Sequence, residues 1–156
     1  MKRLFQLIMI VAFLPVLFAC RQNLVFEQYQ NISDQKWYKD SVLVFNVTIE
    51  DTTQNNNFII NVRNDVDYEY SNLWLFLSIE QPDGKILDDK FEVALADPSG
   101  QWLGNGFGGL KTREAVYRRN IFFPVSGEYK IRIQQGMRDD YLKGISDIGI
   151  RIEAVE

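Results

Sequence analysis

Histidine is absent from this chain, and cysteine occurs once, as Cys20. The first absence excludes Ser-His and Cys-His nucleophile systems, and the two together exclude the usual zinc ligand sets. A lone cysteine forms no internal disulfide, so its thiol is free for another use. Basic residues are scarce and scattered: 17 Lys+Arg stand against 21 Asp+Glu. No basic patch stands out, which argues against a nucleic-acid partner. A long helical period is also missing after the N-terminal segment. The carboxylates do not replace the missing chemistry. Asp88 and Asp89 are neighbours on an expected strand and point to opposite faces, whereas a glycosidase needs two carboxyls across a cleft. Asp65, Asp67, Asp139 and Asp140 are hard oxygen donors of the kind calcium takes, but without EF-hand spacing. The run Gln101-Trp102-Leu103-Gly104-Asn105-Gly106-Phe107-Gly108-Gly109 has phosphate-loop glycines, yet it opens no helix and no Lys-Ser/Thr directly follows its last glycine. The expectation is a non-enzyme with no catalytic residue, no cofactor and no metal.

The N-terminus carries the one visible reactive group. Lys2 and Arg3 precede an apolar run from Leu4 to Phe18, and Leu17-Phe18-Ala19-Cys20 closes it. A charged region, an apolar region and a small residue before a cleavage point make a secretory leader. A cysteine directly after Leu-x-Ala is the bacterial lipobox, in which the thiol is diacylated and the leader is cut before it. The apolar run is shorter than the roughly 20 residues that span a bilayer, and Pro15 interrupts it. An ordinary secretory leader and an uncleaved anchor are the alternatives. Residues 1–19 are therefore read as a lipoprotein signal peptide, Cys20 as the lipidation site and 20–35 as the lipidated N-terminus and a tether becoming structure, in which Val25, Phe26 and Tyr29 could begin a strand. Two or three acyl chains satisfy the need for more than one lipid in stable anchoring.

The body, 36–156, has the size of one domain. Lys2 and Arg3 leave with the leader, so in the mature chain from residue 20 onward 15 basic residues face 21 acidic ones, a net charge near −6. Hydrophobic content of 46% and aromatic content of 13% exceed what a disordered segment carries. The period is two. Leu43, Phe45, Val47 and Ile49 share one face, as do Phe58, Ile60 and Val62 on the next run. In the stretch from Asn72 to Glu80, Leu73, Leu75, Leu77 and Ile79 oppose Trp74, Phe76 and Ser78. With both faces apolar, it reads as a central strand covered on both sides. Pro82-Asp83-Gly84 and Asp97-Pro98-Ser99-Gly100 are turns. Lys111 to Ala115 reads as a possible helical turn, and Val116 to Phe123 as a strand ending before Pro124. Tyr129 in Ser126-Gly127-Glu128-Tyr129 has the placement of a corner-bracing tyrosine. Residues 136–144 read as a loop before a last strand with Ile148, Ile150 and Ile152 inward. About eight short strands predict an all-β, antiparallel β-sandwich, with Greek-key and jelly-roll wirings both open.

Two loops are candidate partner contacts: Trp102 and Phe107 in one, Met137 and Arg138 in the other, with Arg138 able to pair with Asp147. Asp40-Ser41-Val42 and Asp51-Thr52-Thr53 match the tripeptide of periplasmic O-glycosylation, which makes Ser41 and Thr52 weak candidates because so short a pattern recurs by chance. Trp74, Trp102 and several tyrosines could also stack sugars, so a glycan-binding lipoprotein of a polysaccharide-uptake system is the competing reading.

Several blocks, in order, carry a resemblance: Tyr70-Ser71-Asn72-Leu73-Trp74-Leu75-Phe76, Leu95-Ala96-Asp97, Gly100-Gln101-Trp102-Leu103-Gly104, Ser126-Gly127-Glu128-Tyr129, Gln135-Gly136-Met137-Arg138, and Leu142-Lys143-Gly144-Ile145 through Glu153. With the lipobox, they make the chain resemble the gliding-motility lipoprotein GldH family of Bacteroidetes over nearly all of its mature length. The resemblance implies a non-catalytic cell-envelope lipoprotein, tied to gliding motility and type IX secretion, whose partners are the membrane through its lipid and other envelope proteins. Arg21-Gln22-Asn23-Leu24 lacks the acidic run that marks surface display in that phylum. The body is thus expected on the outer membrane, facing the periplasm.

Overall fold

The computed structural model describes residues 23–155; the leader and Cys20 lie outside them. Ten strands follow in order: β1 (Leu24–Asn31), β2 (Lys36–Tyr38), β3 (Leu43–Ile49), β4 (Asn56–Asp65), β5 (Asn72–Glu80), β6 (Ile86–Ala94), β7 (Leu110–Ile121), β8 (Gly127–Gln135), β9 (Tyr141–Lys143) and β10 (Ile145–Ala154). One turn of 3-10 helix, Ser33–Gln35, joins β1 to β2. Eight strands make two four-stranded antiparallel sheets, ordered β1-β10-β4-β7 and β3-β8-β5-β6, while β2 and β9 pair as a separate ribbon.

The wiring is nested. Setting the ribbon aside, the first strand pairs with the last, the second with the seventh, the third with the sixth and the fourth with the fifth. This is a jelly roll, one of the two arrangements the sequence left open. Alternation builds its core. Phe45, Val47, Leu73, Leu75, Ile131 and Ile133 of one sheet face Phe58, Ile60, Val62, Ile148, Ile150 and Ile152 of the other, and all are buried. Burying each such side chain favours the fold by roughly 1.5–3 kcal/mol.

Strand direction divides the sandwich into two ends. At the entry end β1 begins and β10 finishes, and the short connections 50–55, 81–85 and 122–126 cross there. The far end holds the long connection 95–109, the loop 136–140, the turn 66–71 and the β2–β9 ribbon. Trp37 and Leu142 pair across that ribbon and are both buried, closing the core from that side. The Trp37 indole N–H donates to the Ser41 carbonyl at 2.9 Å. At the entry end the Tyr129 hydroxyl donates to the Val125 carbonyl at 2.8 Å and accepts from the Val125 N–H at 3.2 Å. That is the corner brace its spacing suggested.

Four local expectations change. Residues 24–31 are not tether: they hydrogen-bond along β10, so the sandwich starts at Leu24 rather than at residue 36. Lys111–Ala115 is no helical turn but the first half of β7, which runs twelve residues along β4. The 136–144 loop contains β9. And β5, flanked by β8 and β6, is covered on one face only: Trp74 and Phe76 are 40% and 42% exposed.

Candidate partner-binding surface

The outer face of β3-β8-β5-β6 carries the exposed aromatics. Its central rows alternate apolar and charged groups: Trp74 lies opposite Glu92, Phe76 between Lys90 and Gln134, and Val44 opposite Arg132. The sheet register that buries Leu73, Leu75 and Leu77 turns Trp74 and Phe76 outward. No further layer lies over them among the described residues. Phe76 packs on Gly136: a Cβ there would meet its ring at 3.1 Å. The Lys90 ammonium stands 5.6 Å from the Phe76 centroid, a cation–π distance. Phe76 lines a groove of about 380 Å³ with Val42, Ser78, Arg132 and Gln134. The Glu80 carboxyl at its edge is held below the usual range by the hydrogen bond from Arg132, 2.8 Å away.

The far end extends this surface. Met137 leans back toward the core, and its sulfur accepts the Trp74 N–H at 3.3 Å. Its loop is braced from two sides: the Tyr70 hydroxyl donates to Asp139 at 2.7 Å, and the Gln135 amide donates to the Asp139 carbonyl at 2.8 Å. Arg138 is exposed and does not pair with Asp147. Asp147 instead faces Arg63 at 3.4 Å and accepts the Ser146 hydroxyl at 2.6 Å. The 95–109 loop is pinned twice, by Ala96 opposite Trp102 and by Asn105 opposite Thr112. Trp102 therefore packs half-buried against the core, and Phe107, in the turn closed by the second pin, stands fully in solvent. The structure thus joins Met137 to Trp74, sends Phe107 outward and leaves Trp102 as a loop anchor.

The remaining candidates fall apart in space. Ser41 sits exposed in the turn before β3, and Thr52 half-buried in the loop after it, at opposite ends of that strand. Asp88 and Asp89 diverge as spacing predicted. Asp89 turns toward β7, where it accepts from the Tyr117 hydroxyl at 2.8 Å and pairs with Arg118. Those bonds, Tyr117 first, hold its carboxyl below the usual range. Asp65 accepts from the Asp67 N–H at 2.9 Å, and among the described residues no three acidic groups come together to hold a metal. Trp74 and Phe76 are the surface residues that sequence reasoning covered over. The signal was in their cross-strand neighbours, Glu92, Lys90 and Gln134, which have no place inside a dry layer.

The model of the family described as GldH lipoprotein matches residues 24–152. The chain is 40% identical over 154 residues to a gliding motility lipoprotein GldH homolog from Christiangramia forsetii, covering 94% of each chain. It is 35% identical over 145 residues to the gliding motility lipoprotein GldH of Flavobacterium johnsoniae, covering 88% of this chain and 89% of that one. Among solved structures, a family GH115 4-O-methyl-α-glucuronidase with specificity for decorated arabinogalactans aligns with 88% of this chain at 10% identity and a TM-score of 0.44, and this chain spans 18% of its length.

Proposed function

Because the chain belongs to the GldH lipoprotein family, we propose that it is a non-catalytic cell-envelope lipoprotein supporting gliding motility and the associated type IX secretion machinery through protein–protein contacts. In this reading Cys20 carries the lipid, palmitate included, and the body is held on the outer membrane facing the periplasm. The observation that supports contact as the mode of action is the exposed Trp74–Phe76 pair, continued by Met137 and the free tip at Phe107. Aromatic residues in such a setting are the anchors of interfaces. A photo-crosslinking residue at position 74 or 107 in cells of the native organism should yield an adduct with another envelope protein; no adduct from either position sinks the contact reading. Cys20→Ser should release the body from the membrane and leave a precursor.

A glycan-binding role has one observation in its favour: the exposed Phe76 lines a groove with Arg132 and Gln134, and Trp74 stands exposed two residues along the same strand face. Sugar binding lost with Trp74→Ala on a glycan array would move the assignment there.

A further inference from the structure

The entry end of the sandwich collects exposed apolar side chains that nothing in the core explains. Phe122, just beyond β7, is 61% exposed, and Ile86, at the start of β6, is 55% exposed. Leu87 and Val155 at the same end are exposed as well. Leu87 and Phe122 rim one crevice of about 510 Å³, floored by Ile79, Ile121 and Phe123, where the β6 and β7 edges meet. The corner brace of Tyr129 on Val125 fixes the loop that presents Phe122. Asn120, in the left-handed region at φ 52°, bends the chain just before it. Clustered apolar side chains on a fixed support mark an interaction surface.

The chain between the lipid and the body states what lies against this end. Only Arg21 and Gln22 separate Cys20 from Asn23. Three Cα steps reach at most about 10 Å. Asn23 lies at the same end, beside the opposite edge strand of the β1-β10-β4-β7 sheet, its carbonyl accepting the Ala154 N–H at 2.7 Å, so β1 starts within that distance of the anchored residue. We propose that the entry end rests on the bilayer, with Phe122, Leu87 and Ile86 set among the lipid headgroups. This rests on the lipidation of Cys20. The depth required is small, since apolar faces of surface-lying segments sink about 5–10 Å. Lys85 and Arg119, both exposed, flank the apolar residues in sequence, as cations do at a headgroup layer. Glu50, Asp51 and Asp83 share this end, so the contact works by apolar insertion rather than net charge and persists in high salt. The far-end loops and the Trp74–Phe76 face are then held away from the membrane.

The test uses the full lipidated protein in phosphatidylethanolamine–phosphatidylglycerol vesicles. Nitroxides go on Phe122→Cys, Leu87→Cys and, as a far-end reference, Phe107→Cys, the native thiol being acylated. Positions 122 and 87 should meet a water-soluble nickel quencher several-fold less often than 107 and dissolved oxygen more often, with no change at high salt. Equal quencher access at all three positions overturns the proposal. Spin–spin broadening between copies at 122 also overturns it, assigning the patch to a second copy. Intact mass reads the anchor separately. A protein without acyl mass refutes the lipidation and this inference together, whereas an acylated protein with a wet position 122 refutes this inference alone.

Discussion

The two outer faces of this sandwich solve the same problem in opposite ways. On β1-β10-β4-β7 the face is closed by its own side chains. The Tyr29 ring lies over Gly149, and its hydroxyl accepts from the fully buried Asn61 amide at 3.0 Å. Arg151 forks onto both Glu114 oxygens at 3.1 Å and lies 3.0 Å from Glu153. Arg63 stands 5.9 Å from the Tyr29 centroid. Ile59 and Asn61, which point away from the core, are buried beneath this layer. On β3-β8-β5-β6 the aromatics stay open: Lys90 stands over Phe76, but neither Trp74 nor Phe76 closes on a buried polar side chain as Tyr29 does on Asn61. The first face is committed to stability, while the second leaves its apolar area uncovered. The difference teaches that an outward aromatic in this fold is a lid where its polar group closes on a buried neighbour, as Tyr29 does on Asn61, and an available contact where it does not; a glycine lies under both Tyr29 and Phe76 and does not decide it.

Substitutions can break that contrast. The largest effect is expected at Gly149, where an added Cβ would meet the Tyr29 ring at 2.5 Å. Gly149→Val both overpacks the lid and strips the buried Asn61 of its partner, and should cost about 3 kcal/mol in urea unfolding. Tyr29→Phe keeps the ring and removes the acceptor, so its cost should be about 1.5 kcal/mol. A mutant indistinguishable from wild type would show that Asn61 does not depend on Tyr29. Alkali tests the same lid without mutation. Burial pushes the Tyr29 hydroxyl above its ordinary value, and it does the same to Tyr68 and Tyr117. The unfolded chain ionises these groups near pH 10 while the folded one resists, so their contribution is full below pH 10 and is lost as pH rises through the folded values. The urea midpoint should be flat from pH 7 to 9 and fall above 10. The smallest stability change belongs to the open face: Trp74→Ala should shift unfolding by about 1 kcal/mol or less while weakening the crosslinks formed from position 107. A large loss of stability there would mean that the open face is structural after all.

How much of this was legible depends on the range of the interaction. Phe45, Val47, Ile131 and Ile150 were readable because alternation along one strand reports them directly. β1 was legible only in part: Val25, Phe26 and Tyr29 suggest a strand, but Leu24–Asn31 has weak alternation, and its place in the sandwich comes from pairing with β10, more than a hundred residues away. Trp74 and Phe76 were misplaced for a related reason. Periodicity shows that two faces differ from solvent, but not whether a second layer exists to cover both. The Arg138–Asp147 pairing failed because Asp147 sits across from Arg63 in the sheet register, a neighbour visible only once strands are aligned. Corner chemistry, by contrast, is local: Tyr129 reaches only four residues back, to Val125, and was legible.

The nested pairing has a consequence for the order of events during export. The β5–β6 hairpin is the innermost pair, closed by the short turn 81–85, and each pair outside it joins segments farther apart in the chain. Loop-closure cost therefore favours zipping from the middle outward, with β1 and β10 last. β1 emerges first from the translocation pore yet waits for the final segment of the chain. Until then, the first strand is an unpaired ribbon with a free edge, open to a passing chaperone or to misassembly with a neighbour. Pulse-labelled hydrogen exchange during refolding should find β5 and β6 protected early and Leu24–Asn31 protected last.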